Sequence, residues 1–166
     1  MAFMENSVKQ KDISLKQKFL YSFWAQREPL NPEGAFKEYM KRVEFVNEFY
    51  DAVNFKGYQT DRGRVYLKYG KPDQVTKFEH EPSNYPYEIW QFYKLEKRNN
   101  RRFIFYNPDL SSNKYTLLHS DAIGEIKDER WQAKLSKRTN SNNNFDNNGN
   151  HPNTGNRAEE FFDNPR

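Results

Sequence analysis

Seventeen residues in the middle of the chain, 57–73, read Gly-Tyr-Gln-Thr-Asp-Arg-Gly-Arg-Val-Tyr-Leu-Lys-Tyr-Gly-Lys-Pro-Asp. They hold a Gly57-Tyr58 entry, a Thr60-Asp61-Arg62-Gly63 turn, an apolar run and a Gly70-x-Pro72-Asp73 exit. Gly, Thr, Asp and Pro are residues suited to turn geometry, because Gly relaxes the backbone, Pro presets φ, and Thr and Asp side chains accept backbone N–H bonds. The segment is therefore read as a structural keystone joining a helical part to a sheet, with Tyr58 buried against the helices.

Upstream of it the apolar period is helical. Ser14-x-x-Gln17 has the form of a capping box, and Leu15, Phe19, Leu20, Phe23 and Trp24 follow at helical spacing. Pro29 and Pro32 end that helix, and Asn31 before Pro32 is a suitable cap and first-turn pair for another. Phe36, Tyr39, Met40, Val43, Val46, Phe49, Tyr50 and Val53 mark the face of the second helix. The short connection predicts an antiparallel helical hairpin.

Downstream the period shortens. Val65, Leu67 and Tyr69 alternate, and their β-branched and aromatic character predicts a strand, although a helix capped by Thr60 also accommodates Val65, Tyr66 and Tyr69. Further strands are predicted over 74–79, 87–95, 102–106 and 115–119. Residues 98–101, Arg-Asn-Asn-Arg, are read as the tight turn between the second and third of these. Ile89 and Tyr93 oppose Trp90 and Phe92, so residues 87–95 have two apolar faces, as a central strand does. A short helix is predicted over 127–137 from Trp131 and Leu135. The fold class is α+β: an N-terminal helical hairpin on a small antiparallel sheet of four to five strands, then a short C-terminal helix. One domain is assigned to 14–138. Residues 139–166 are read as a disordered tail, because Asn fills 9 of the 17 positions from 140 to 156 without apolar periodicity. Residues 158–162 end it with a small acidic-aromatic cluster, taken as terminal sequence in preference to a docking peptide.

The 57–73 segment resembles the signature of the GWxTD domain family, with Tyr58 where that family usually has Trp. The resemblance covers roughly residues 19–135 and is strongest over 57–106. It brings no established chemistry. It implies a noncatalytic structural or protein-interaction module of a Gram-negative cell envelope, in the periplasm or outer membrane, since similar proteins are usually exported. Residues 1–13 lack the continuous apolar segment of a secretory leader. Taken as complete, the chain is expected in the cytoplasm.

The side chains themselves offer little machinery. Without Cys there is no disulfide or thiolate chemistry, and no run approaches the roughly 18 apolar residues of a membrane helix. His80, His119 and His151 have no metal-ligand spacing and are read as surface or turn residues, so no metal and no cofactor is expected. Neither a Gly-x-Ser-x-Gly elbow nor a Gly-rich phosphate loop is present. Asp61 and Asp73 are read as turn formers. Arg62 and Arg64 around Gly63 could grip a carboxylate or phosphate, or pair within the fold with Asp61, Asp73 or a helix end. Tyr85, between Pro82 and Pro86, is a candidate protein contact or a loop closing over the core. Residues 94–106 combine Lys94, Lys97, Arg98, Arg101 and Arg102 with Tyr93, Phe103 and Phe105. This hairpin supports an alternative reading as a nucleic-acid-binding surface, against one in which the aromatics are core.

Overall fold

In the computed structural model, which describes residues 2–95, 98–136 and 158–163, two helices open the chain: α1 (Ala2–Arg27) and α2 (Pro32–Phe49). Lys97, His151 and residues 139–157 lie outside the described residues. The chain divides into two units, 1–44 and 45–166, so the last turn of α2 belongs to the second.

In the first unit, α1 runs through Ser14 without the break a capping box would imply, because residues 2–27 contain neither Pro nor Gly. Asn31 caps α2 as anticipated, its Oδ1 accepting from Gly34 N–H at 2.9 Å. The hairpin closes on Trp24, whose ring meets Phe36 at 6.1 Å and Tyr39 at 5.5 Å. Leu15, Phe19 and Leu20, placed by their spacing on a buried face, are exposed.

The second unit holds a 3-10 turn (Gly57–Gln59), helix α3 (Asp61–Tyr69) and a four-stranded antiparallel meander. Its strands are β1 (Gln74–Phe78), β2 (Tyr87–Leu95), β3 (Arg98–Tyr106) and β4 (Thr116–Ser120), in that order across the sheet. Residues 64–69 are therefore helix, not strand. Thr60 caps the helix with its side chain, Gly70 ends it at a φ of 88°, and Val65, Tyr66 and Tyr69 turn to the core at helical spacing. End signals outweigh the β propensity of the interior here. Residues 98–101 lie within β3, where Leu95 pairs with Arg98 and Lys94 with Asn99. Asn100 nevertheless adopts the positive φ, 52°, for which it was placed in a turn.

Strand alternation sorts the sheet's side chains into two apolar layers. Trp90, Phe92, Phe103, Phe105 and Leu117 join Val65 of α3 in one cluster, with Tyr50, Tyr66 and Tyr69 packed against it. Tyr87, Ile89, Ile104 and Leu118 form the other, covered by Trp131 and Leu135 of α4 (Trp131–Leu135). A register shift between Ile104 and Phe105 pairs Ile104 with His119 and Phe105 with Leu117. Both Leu118 and His119 are thereby delivered to the second layer, where His119 meets Trp131 at 6.0 Å. His119 is buried rather than a surface histidine, and burial holds its pKa below the ordinary value.

The second layer also contains α5 (Ala158–Asp163). Ala158 and Phe162 are buried against it, so these residues are not idle terminal sequence. Spacing of four places both on one face of a short helix, a pattern too brief to register as periodicity.

Candidate functional site

Most residues of the 57–73 segment hold the second unit together, and the Tyr58 side chain does not. Thr60 donates its hydroxyl to Gly57 O at 2.8 Å and accepts from Gly63 N–H at 3.1 Å. A Cβ on Gly57 would stand 1.6 Å from Val46 O, and one on Gly63 would stand 1.9 Å from Gly57 O. The end of α2, the 3-10 turn and α3 therefore touch backbone to backbone, which only Gly permits. Asp61 accepts from Leu117 N–H at 2.8 Å and Asp73 from Tyr93 N–H at 2.7 Å. Both act as anticipated through backbone N–H groups, but on distant strands and not on their own turns. Gly70 closes α3, and Pro72 is buried behind it.

Tyr58 departs from expectation. Its N–H is pinned by Asn47 Oδ1 at 3.2 Å, yet its side chain is outward and the residue is 45% exposed. Phe49, Val53 and Phe55 are exposed in the same stretch of chain, and Lys114 Nζ lies 3.8 Å over the Phe55 ring. The burial anticipated for Tyr58 is provided by Gly57 and Thr60, whose small side chains let the backbone itself approach.

Arg62 and Arg64 point to different places, as residues two apart on a helix must. Arg62 enters the core, where Nη1 donates to Glu88 Oε1 at 3.0 Å and Nη2 to Asn113 O at 2.9 Å. Its guanidinium lies 4.2 Å from the Tyr115 ring centre and 5.3 Å from that of Tyr50. Glu88 also accepts from Trp90 Nε1–H at 2.9 Å, and Lys77 Nζ stands 3.6 Å from it. Burial, reinforced by the Glu88 charge, pushes the Tyr50 hydroxyl up to about 12. Among the described residues, Arg62 Nε has no hydrogen-bond partner.

Arg64 faces outward and grips Glu125 with both Nη atoms, at 3.2 and 2.7 Å. Lys68 Nζ at 2.7 Å and Tyr69 Oη at 2.8 Å donate to the same carboxylate. Burial pulls the Glu125 pKa up, but hydrogen bonds from Arg64, Lys68 and Tyr69 outweigh it and hold the group at about 2. Of the partners foreseen in sequence, Asp61 does pair with Arg64, as a weaker contact, while Asp73 is bonded elsewhere. Asp61 reaches Arg64 only at 3.9 Å, and the principal partners Glu88 and Glu125 lie 26 and 61 residues away along the chain. No local spacing could have revealed them.

Tyr85 is half-buried in a closed loop. Its N–H donates to Leu135 O at 3.0 Å, its ring lies 6.4 Å edge-on from Tyr106, and Asn107 N–H donates to Pro86 O at 2.8 Å. In the hairpin of β2 and β3, Phe103 and Phe105 are fully buried, so their faces are not free to stack on bases. Arg101 faces Asp121 at 3.8 Å and Arg102 faces Asp163 at 3.5 Å. Among the described residues no group of three or more His, Asp or Glu has the arrangement of a metal site, and no helix is long and apolar enough to cross a membrane.

No curated protein and no solved structure matches the chain. The family model of the GWxTD domain matches residues 1–139, which include both units of the described structure up to α4. The Gly57-Tyr58-Gln59-Thr60-Asp61 run at the heart of that match is the keystone just described, and the chain belongs to the GWxTD domain family.

Proposed function

We propose that the chain is a noncatalytic protein-interaction module of a Gram-negative cell envelope. The observation that carries this reading is the division of labour within the family signature. Its two arginines are paired within the fold, Arg62 to Glu88 and Arg64 to Glu125, while Tyr58, unlike Tyr66 and Tyr69 which pack on the core, is directed outward on a pinned turn. A reaction centre keeps its polar groups for a substrate, whereas a contact surface keeps aromatics. Tyr58 and Phe55 are three residues apart on short, hydrogen-bonded turns, so little backbone entropy is lost when a partner covers them. Arg64 keeps 42% of its side chain exposed beside Tyr69 and Glu125, while Arg62 is enclosed. Placement in the envelope rests on family membership.

The test is a Phe55→Ser, Tyr58→Ser double variant. Both positions are exposed, so the melting temperature should hold while envelope proteins crosslinked to the wild-type chain are lost. An unchanged set of crosslinked proteins would overturn the contact assignment. Recovery of the chain from the cytosolic fraction of its native cell would overturn the placement.

A further inference from the structure

The second apolar layer of the sheet is covered in part by a segment that lies outside the family match. Residues 1–139 carry the family domain, whereas α5 begins at Ala158. We propose that this layer is a groove for short acidic helices carrying paired aromatics, that its cognate ligand is such a helix on another protein, and that α5 is its occupant in cis.

The chemistry of α5 defines the ligand. It reads Ala-Glu-Glu-Phe-Phe-Asp, with Ala158 and Phe162 buried and Glu159 and Glu160 turned to solvent. The Phe162 ring sits 5.5 Å from Trp131 and 5.4 Å edge-on from His119, and Phe161 lies 4.7 Å from Phe78. Six residues cannot hold a helix in water, since nucleation is unfavourable and few hydrogen bonds follow it. The helical form of α5 therefore depends on the groove that receives it, as in helix-in-groove recognition generally. Arg102 supplies the polar reading. Its guanidinium is 5.3 Å from the Phe162 ring centre, and Nη1 stands 3.5 Å from Asp163 Oδ1. A cation placed over an aromatic and beside a carboxylate selects a Phe-acid pair over a plain apolar helix.

Occupancy in cis makes the site conditional. A tethered segment experiences an effective concentration on the order of millimolar, so a free ligand must outcompete it. This groove lies on the face of the sheet opposite the Val65 layer and shares no residue with the Phe55–Tyr58 surface. The two assignments therefore stand or fall separately.

The experiment uses the full chain with Phe161→Ser and Phe162→Ser, which should empty the groove, and a fluorescein-labelled peptide of residues 156–166. Fluorescence anisotropy should show saturable binding to this variant, weakened at least about tenfold in the wild-type chain. Amide shifts on binding should centre on Leu118, His119 and Trp131. A peptide of the same composition with its two Phe separated should not bind, and Arg102→Glu in the emptied chain should weaken binding several-fold. Equal binding by emptied and wild-type chains, no binding by a folded emptied chain, or shifts elsewhere would each overturn the proposal. If the double variant does not fold, Phe161→Ser alone carries the same comparison, since Phe161 is only half-buried. A wild-type dimer that Phe162→Ser abolishes would reassign the groove to a second copy of this chain and overturn the foreign helix as its ligand.

Discussion

Arg62 Nη1 donates to Glu88 Oε1 at 3.0 Å, with the two side chains only 4% and 3% exposed, linking α3 to the central strand through the middle of the core. A buried pair of this kind is poor evidence of net stabilisation, because both charges were taken out of water. It is good evidence of mutual dependence. Three further groups, Trp90 Nε1–H, Asn113 O and the Tyr115 ring, are arranged around the same two charges.

Glu88→Leu should therefore destabilise the protein by about 3–5 kcal/mol, since it leaves the Arg62 charge buried and the Trp90 N–H unmatched. Adding Arg62→Met should recover part of that loss, leaving a deficit of about 1–3 kcal/mol from the indole N–H. Urea denaturation of the two single variants and the double variant measures the coupling. Strict additivity would show that the pair acts as two independent charges.

The keystone should be sensitive at its glycines and tolerant at its aromatic. Gly57→Ala forces a methyl to within 1.6 Å of Val46 O, a backbone atom that cannot step aside. The cost should exceed about 3 kcal/mol, through displacement of the α2 end from the 3-10 turn. Tyr58→Ala removes an exposed ring and should cost less than about 1 kcal/mol. Thermal melts of the two variants decide it, and a reversed order would mean that the Tyr58 ring is packed in solution.

Glu125 makes the attachment of its loop acid-sensitive. Its folded pKa, about 2, lies below the ordinary Glu value of 4.5, so the folded state binds its proton less readily than the unfolded state does. The stabilisation is complete above about 4.5 and is lost as pH falls from there towards 2. Full linkage would be about 3 kcal/mol, and solvent screening of the half-exposed Arg64 and Lys68 reduces it to about 1–2 kcal/mol. Glu125→Gln should cost that amount at pH 7 and flatten the wild-type loss of urea midpoint between pH 4.5 and 2. An identical acid limb in both proteins would remove Glu125 from the account.

What could be read in sequence was what depends on neighbours along the chain. The helical hairpin around Pro29 and Pro32, the two-faced strand of Ile89 and Trp90 and the turn chemistry of Gly70 all follow from local rules. Thr60 and Gly70 even carried the correct helix for α3, but the alternation of Val65, Leu67 and Tyr69 weighed against it. The outward turn of Tyr58 was hidden, because an aromatic in an apolar neighbourhood is ordinarily core. The centre around Arg62 was hidden for a different reason: Glu88 sits in an apolar strand, where its carboxylate resembles an interruption until α3 is laid across the sheet. His119 was misread through the shift between Ile104 and Phe105, which no pattern of alternation contains.

The last prediction concerns α5. Phe162 is 9% exposed and contacts Trp131, His119 and Arg102, so Phe162→Ala should cost about 2–3 kcal/mol, below a fully enclosed Phe. Ending the chain at Arg138 removes Ala158 and Phe161 as well and should cost at least as much. This contrasts with the indifference expected of a tail that meets nothing. A second readout separates docking from a general loss of stability. Burial holds the His119 pKa down, and its Nδ1 is hydrogen-bonded to the Asp128 backbone, 2.8 Å from the carbonyl O and 3.1 Å from the N. Removing α5 uncovers the ring while leaving that bond, so the His119 pKa should rise towards its ordinary value of 6.5. An NMR titration of the His119 ring protons in the full and shortened chains measures the change. A shortened chain with the same midpoint and the same His119 titration would show that α5 does not cover this layer in solution.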